Sequence, residues 1–399
     1  MSQDLAINGG KPVRDELLPY GHQWIDDEDI KAVSDILHSD WITQGSKVVE
    51  FEKEFANYVG APYAVAVSSG TAALHTACFA AQIKKGDEAI TTPITFAASA
   101  NCVLYQGGIP VFADIREDTL NIDPEEIKKK ITSDTRAIIP VDFTGQPVDL
   151  EKILQIARKN NLIVIEDASH ALGATYKDSK IGSISDMTIF SFHPVKHITT
   201  GEGGMITTNN KEYYERLILF RTHGITKDKG KLLNYDGPWY YEMQELGYNY
   251  RLTDFQCALG ISQLKKIDII IQRRREIVQK YNYEFKSVPE IKIPQITPAG
   301  SNPAWHIYII QLNLDRLKVD RREIFEALRA ENIGVNVHYI PVHLQPYYQK
   351  RFGYHPGDFP KAENYYSRAI TLPVFPKMSD KDIGDVVAAV KKVINYYKK

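Results

Sequence analysis

Ser191 and Lys196 belong to the run Ile189-Phe190-Ser191-Phe192-His193-Pro194-Val195-Lys196. This β-rich stretch delivers a hydroxyl and then an amine into a turn closed by Gly201, Gly203 and Gly204. A lysine becomes a useful nucleophile when its ammonium is desolvated or held near other positive groups, because both favour the neutral amine. Upstream, Leu162-Ile163-Val164-Ile165-Glu166-Asp167 ends an apolar run on an acid. A carboxylate at such a strand end suits a protonated pyridine nitrogen. Lysine and acid together point to pyridoxal 5′-phosphate (PLP), bound through Lys196 as a Schiff base.

Other residues fit the remaining parts of that molecule. Ser68-Ser69-Gly70-Thr71-Ala72-Ala73-Leu74 is a strand-to-helix turn of small residues and hydroxyls. Backbone N–H groups at a helix start, plus a threonine hydroxyl, make a phosphate cup without a cation. Taken alone, an ordinary capped helix is the commoner reading of such a turn. Thr92-Pro93-Ile94-Thr95-Phe96 ends another strand, and Phe96 is placed to stack on a flat ring or to fill the core. His170 follows Asp167 closely enough to donate to a phenolate oxygen, or to serve as a structural histidine. The conjunction of cup, aromatic, acid and lysine in one chain order says more than any part of it.

The elements that must position these residues alternate along the chain. Tyr63 to Val67, Ala89 to Thr92, Pro110 to Ala113, Ala137 to Val141 and Leu162 to Glu166 read as strands. Thr71 to Ala81, Ala97 to Tyr105, Pro124 to Lys130 and Leu150 to Lys159 read as the helices between them, and Asp26 to Asp29 as the cap of a helix through Leu37. This predicts an α/β fold with a mostly parallel sheet covered on both faces. Met187 to Phe192 and Met205 to Thr208 add two strands with no helix between them. A long helical period runs from Thr253 to about Phe285. Beyond Pro294 the pattern turns α+β, with strands His306 to Leu312 and Val335 to Tyr339 and helices Arg321 to Ala330 and Lys381 to Tyr397.

Composition narrows the classes. With 399 residues, 43% hydrophobic and 25% charged, the chain can bury the core of a two-domain protein. The net charge of −2 leaves no footprint for nucleic acid, and Arg273-Arg274-Arg275 reads as a solvated helix face. Three dispersed cysteines (Cys78, Cys102, Cys257) suit reduced thiols in the cytoplasm. The start, Met1 to Ala6, has neither a basic nor an apolar signal region, and no apolar run nears the ~20 residues that span a bilayer. His193, His197, His338 and His343 lack HExxH or CxxC spacing, so no metal is expected. No GxGxxG or P-loop pattern occurs.

From about Tyr20 to Pro376 the sequence resembles the DegT/DnrJ-type family of PLP-dependent sugar aminotransferases. The passages that carry the resemblance are Ser69-Gly70-Thr71-Ala72, Thr92-Pro93-Ile94-Thr95-Phe96, Glu166-Asp167-Ala168-Ser169-His170-Ala171, Phe190 to Lys196, Gly247-Tyr248-Asn249-Tyr250-Arg251-Leu252 and Val337-His338-Tyr339-Ile340-Pro341. The resemblance implies an aspartate-aminotransferase-like fold (PLP fold type I). Residues 1–260 would form the large PLP-binding domain with its leader, and 261–399 a smaller α+β domain. It implies that Lys196 carries the cofactor, Asp167 pairs with the pyridinium nitrogen, Phe96 stacks on the ring and His170 lies near O3′. Thr71, Ala72 and Ser191 would hold the phosphate, and Asn249 would reach the phosphate of a neighbouring subunit in a homodimer. Tyr20, His338 and Tyr339 are candidate nucleotide-sugar contacts. L-glutamate would be the donor, with pyridoxamine 5′-phosphate carrying nitrogen between the half-reactions.

Within the family, Thr91 to Ala98, Ser191 to Thr200, Glu245 to Leu252 and Ala258 to Lys266 are similar to the transaminase branch of pseudaminic-acid biosynthesis, which aminates C4 of UDP-2-acetamido-2,6-dideoxy-β-L-arabino-hexos-4-ulose. The leader Ile7 to Val13 is similar to other branches, including aminohydroxybenzoate synthases. Trp41 to Gly45 and Leu372 to Pro376 resemble the UDP-4-amino-4-deoxy-L-arabinose transaminase. Three rivals stand beside the transaminase: a sugar 3-dehydratase, which would have histidine in place of Lys196; a non-catalytic PLP-binding regulator; and an unrelated nucleotide-binding α/β protein.

Overall fold

The structure, a computed structural model, describes residues 4–295 and 300–399. Met1 to Gln3, part of the start read for a targeting signal, lie outside the described residues. The alternation of apolar runs and helical periods resolves into one seven-stranded sheet. Its strands are β1 (Tyr63–Val67), β2 (Glu88–Thr91), β3 (Ile109–Phe112), β4 (Thr135–Ile139), β5 (Ile163–Asp167), β6 (Met187–Ser191) and β7 (Gly204–Thr208). They lie in the order β1-β7-β6-β5-β4-β2-β3. From β3 across to β6 every pairing is parallel, whereas β7 runs antiparallel to both β6 and β1. That antiparallel strand follows from the short β6–β7 connection, which has no room for a crossover helix.

Helices close both faces. The first, α1 (Asp27–Leu37), starts on a reciprocal cap: Asp29 N–H donates to Asp26 Oδ1, and Asp26 N–H donates to Asp29 Oδ2. Next come α2 (Ser46–Val59), α3 (Gly70–Ala80), α4 (Ala98–Tyr105), α5 (Pro124–Lys130), α6 (Leu150–Lys159) and α7 (Lys211–Arg221). Helix α6 shows how the pattern works: Leu150, Ile153, Ile156 and Ala157 face the core while Arg158 and Lys159 sit at its last turn. Where sequence reading expected one long helix from Thr253, the chain forms two, α8 (Asp254–Leu264) and α9 (Ile267–Phe285). The break falls where the Lys266 ammonium turns back to Asp26 and Asp29, at 2.6 and 2.7 Å.

The buried side chains divide within α9. Ile267, Ile270 and Ile271 join the core of the large sheet, while Ile277, Val278, Tyr281 and Phe285 join a second core. That core packs α10 (Arg321–Ala330) and the helix Asp380–Tyr397 on an antiparallel sheet of β8 (Ile291–Lys292), β9 (Tyr308–Leu312) and β10 (Ala369–Leu372). Leu5 and Leu18 of the leader belong to this second core, and Glu331 accepts from the N–H groups of Ala6 and Val13. The expected boundary at residue 260 lies inside α8.

Two sequence expectations are corrected. Val335 to Tyr339 is not a strand: only Asn336 pairs, with Thr371, after which the chain leaves the sheet edge and carries His338 and Tyr339 to the site. Arg274 is not solvated but fully buried, and its Nη1 donates to the carbonyls of Trp305, His306 and Val374 at 2.9 to 3.2 Å. Among the described residues no helix is long and apolar enough to cross a membrane.

Candidate active site

The carboxyl ends of the parallel strands open onto a cavity of about 390 Å³, the place where open α/β sheets gather ligands. Each strand end contributes. After β1 come Ser69, Gly70 and Thr71; after β2, Thr95 and Phe96; after β4, Val141; at β5, Asp167, Ser169 and His170; after β6, Ser191, His193 and Lys196. The second core supplies the opposite wall with His306, His338 and Tyr339, and the leader supplies Tyr20.

The turn before α3 is built to stay close to β6. Ser69 caps the helix by accepting from Ala72 N–H at 3.0 Å. A Cβ on Gly70 would meet Ser191 Cβ at 2.9 Å, and one on Gly204 would meet the Ser69 carbonyl at 2.5 Å. Glycine at both positions lets the cup seat against Ser191. The N–H groups of Gly70 and Thr71 have no acceptor within the helix, as at every helix start.

Asp167 is held by two donors. Ser99 Oγ, on the first turn of α4, donates to Oδ2 at 2.6 Å, and Ser169 N–H donates to Oδ1 at 3.1 Å. Lys196 sits in a turn fixed by its own N–H to the His193 carbonyl at 2.9 Å. Burial pushes its amine down to about 8; nearby Asp167 opposes the shift and Arg274 adds to it. A lysine in that range has a substantial neutral fraction near physiological pH. His170 is held neutral, first by burial and then by Lys196. The Tyr339 hydroxyl, kept protonated by burial, lies in hydrogen-bond contact with His170 Nε2 at 3.3 Å. That buried Nδ1 has no partner among the described residues.

A cup of free N–H groups, a fixed carboxylate, an amine poised near neutrality and an unpartnered ring nitrogen surround one cavity. These groups fit PLP. The model of the DegT/DnrJ/EryC1/StrS aminotransferase family matches residues 23–391. The chain belongs to this family.

Relatives agree over nearly the whole length. SpsC, a spore coat polysaccharide biosynthesis protein of Bacillus subtilis, is 46% identical over 382 residues, 96% of this chain and 98% of SpsC. The UDP-4-amino-4,6-dideoxy-N-acetyl-beta-L-altrosamine transaminase of Campylobacter jejuni is 40% identical over 389 residues, 96% of this chain and 99% of that one. Spr1654 of Streptococcus pneumoniae in its PLP-form superposes with a TM-score of 0.89 at 31% identity, covering 95% of this chain and 99% of that one. The DegT/DnrJ/EryC1/StrS member described here is thus a PLP-dependent sugar aminotransferase with the fold of PLP aminotransferases.

Of the residues singled out from sequence, the cavity gathers Tyr20, Thr71, Phe96, Asp167, His170, Ser191, Lys196, His338 and Tyr339. Ala72 is buried behind the cup with its N–H committed to Ser69, so a phosphate would meet Gly70 and Thr71 first. Asn249 does not line the cavity of its own chain and is exposed. Phe96 is 62% exposed, an open face for a flat ring. Sequence reasoning missed Ser99 and His306. Ser99 had no signal in its spacing, because Thr95, whose hydroxyl lies 2.7 Å from its own, precedes the helix. His306 had none, because its ring reaches the wall only through the packing of the second core, 4.3 Å from His170 between ring centroids.

Proposed function

We propose that this enzyme moves the amino group of L-glutamate to C4 of a UDP-4-keto-6-deoxy-N-acetylhexosamine, a step of pseudaminic-acid-type amino-sugar biosynthesis. The observation that carries the proposal is the amine of Lys196, lowered to about 8, sharing one cavity with the anchored carboxylate of Asp167. When bound, PLP supplies an electron sink for charge developing at the donor Cα. Lys196 Nζ is the group that takes the proton from Cα and returns it, because it is the lysine that lines the cavity and burial lowers it to about 8. Asp167, held by Ser99 and Ser169, would pair its carboxylate with the protonated ring nitrogen. Gly70, Thr71 and Ser191 would hold the phosphate, and Phe96 would cover the ring.

Tyr20, His338 and Tyr339 orient the sugar nucleotide. The Tyr20 and His338 rings lie 5.5 Å apart, and His338 Nδ1 is tied to Thr371 Oγ1 at 2.9 Å. Burial lowers His338 to about 4, so it offers a neutral ring to the substrate. A homodimer completes the site through Asn249. Its support is the stretch beside Asn249, where Leu233, Trp239, Met243 and Leu246 stand exposed. The free, buried thiols of Cys78, Cys102 and Cys257 suit a reducing cytoplasm.

A panel of UDP- and dTDP-4-ketosugars with L-glutamate, products resolved by NMR, tests the substrate. The N-acetylated 4-keto-6-deoxy UDP-sugar is expected to lead the panel in kcat/KM by about 10²-fold over the 4-keto pentose of the UDP-4-amino-4-deoxy-L-arabinose type. Preference for the pentose would overturn the assignment of the sugar and leave the transamination standing.

A further inference from the structure

Behind Asp167, on the opposite face of β5, lies a second pair of acids that the reaction leaves unused. Alternation along the strand points Glu166 away from Asp167, toward Asp142 in the loop after β4. Both are 0% exposed. Glu166 Oε2 accepts from Ser185 Oγ at 2.9 Å and Thr188 Oγ1 at 3.0 Å, and Asp142 Oδ1 accepts from Val148 N–H at 2.9 Å. The remaining oxygens, Asp142 Oδ2 and Glu166 Oε1, have no hydrogen-bond partner among the described residues. Each carboxyl group shifts the proton affinity of the other, and two buried acids with an unpartnered oxygen apiece hold a proton between them more readily than they both ionise. Neither makes an ion pair among the described residues, so nothing else neutralises them. The backbone ties the pair to the site: Asp142 N–H donates to the Asp167 carbonyl at 3.1 Å, and Asp167 N–H donates to the Pro140 carbonyl at 2.8 Å.

We propose that Asp142 and Glu166 form a proton-sharing positioning pair that holds the strand end bearing Asp167 and sets a single negative charge behind it, strengthening the hold on a cationic ring nitrogen. This rests on Asp167 being the partner of that nitrogen. The other titratable groups facing this region are Asp167 itself, Cys102 below it on α4, and Lys196 and His170 on the cavity side. Thr188 on β6 and Ser185 just before it face the pair with hydroxyls, and Val148, ahead of α6, with an N–H.

Burial raises both carboxyl groups, and the charge of the other adds to the rise in Asp142. The native state therefore keeps a proton that the unfolded chain has lost. Stability contributed by that proton is full below the unfolded carboxyl value of about 4 and declines as pH rises toward the folded value. Asp142→Asn and Glu166→Gln each replace the shared proton with an amide N–H and keep one negative charge; the double variant removes the charge.

The test measures thermal unfolding of wild type and variants, with and without PLP, from about pH 5.5 to about pH 8.5, together with PLP affinity. Each single variant should gain on wild type by a few degrees as pH rises, in the apoprotein too. The double variant should bind PLP on the order of tenfold more weakly, the single variants much less so. Unfolding curves that stay parallel, or wild-type PLP affinity in the double variant, would overturn the proposal. Failure of the wild type to bind PLP would instead strike the reading of Asp167. Should the variants not fold, the infrared spectrum of the wild type decides: a protonated-carboxyl C=O band at neutral pH supports the pair, and its absence refutes it.

Discussion

Lys196→Ala is expected to abolish sugar amination, lowering turnover by at least about 10³-fold, while the protein folds as before. Alanine removes the amine proposed to carry a proton at the donor Cα. His170, His306 and His338 are all held neutral by burial. Stability should not fall. An ammonium whose folded value is depressed to about 8 costs the native state stability below that pH, a cost that fades as pH rises toward the free lysine value. The variant should therefore unfold no lower than wild type at pH 7. Steady-state rates with L-glutamate and a UDP-4-ketosugar, beside a thermal melt, check both halves. Appreciable amination by the variant would refute the role of Lys196.

Asp167→Asn is the second large effect. The amide is isosteric and keeps an oxygen for one of the donors that hold Asp167, Ser99 Oγ and Ser169 N–H, so the fold should survive. What it loses is the negative charge proposed to face the ring nitrogen. Removing one preorganised electrostatic partner of this kind lowers kcat on the order of 10²- to 10³-fold. PLP binding should weaken as well, though less, since the cup at Gly70, Thr71 and Ser191 is untouched. Restored activity on adding cofactor in excess would show that Asp167 serves binding alone and contradict its electronic role.

Much of this was legible before any coordinates. The strands carrying Asp167 and Ser191 were readable because each is a short apolar run ending on a polar residue, a pattern that local chemistry enforces. The cup was readable because Ser69 is a cap and Gly70 and Thr71 follow it at the helix start. Features that depend on distant partners were not. Nothing local marks Lys266 as the break between two helices; its reason is the pair Asp26 and Asp29, far away in sequence. Arg274 sits among charged neighbours and looks solvated, yet three carbonyls from the second core draw it inside. The run Val335 to Tyr339 has strand composition, but only Asn336 pairs with the sheet, and His338 and Tyr339 go to the cavity wall. The acid pair behind Asp167 was invisible for the same reason, since Asp142 and Glu166 meet only once β4 and β5 lie side by side.

The central claim is that Lys196 is the residue to which PLP becomes covalently attached. Reduction of the PLP-loaded protein with borohydride, followed by proteolysis and mass spectrometry, reads that attachment directly. A pyridoxyl group on the peptide carrying Lys196 and on no other lysine is the expected result. A label on a different lysine, or none in protein that has bound the cofactor, would contradict it.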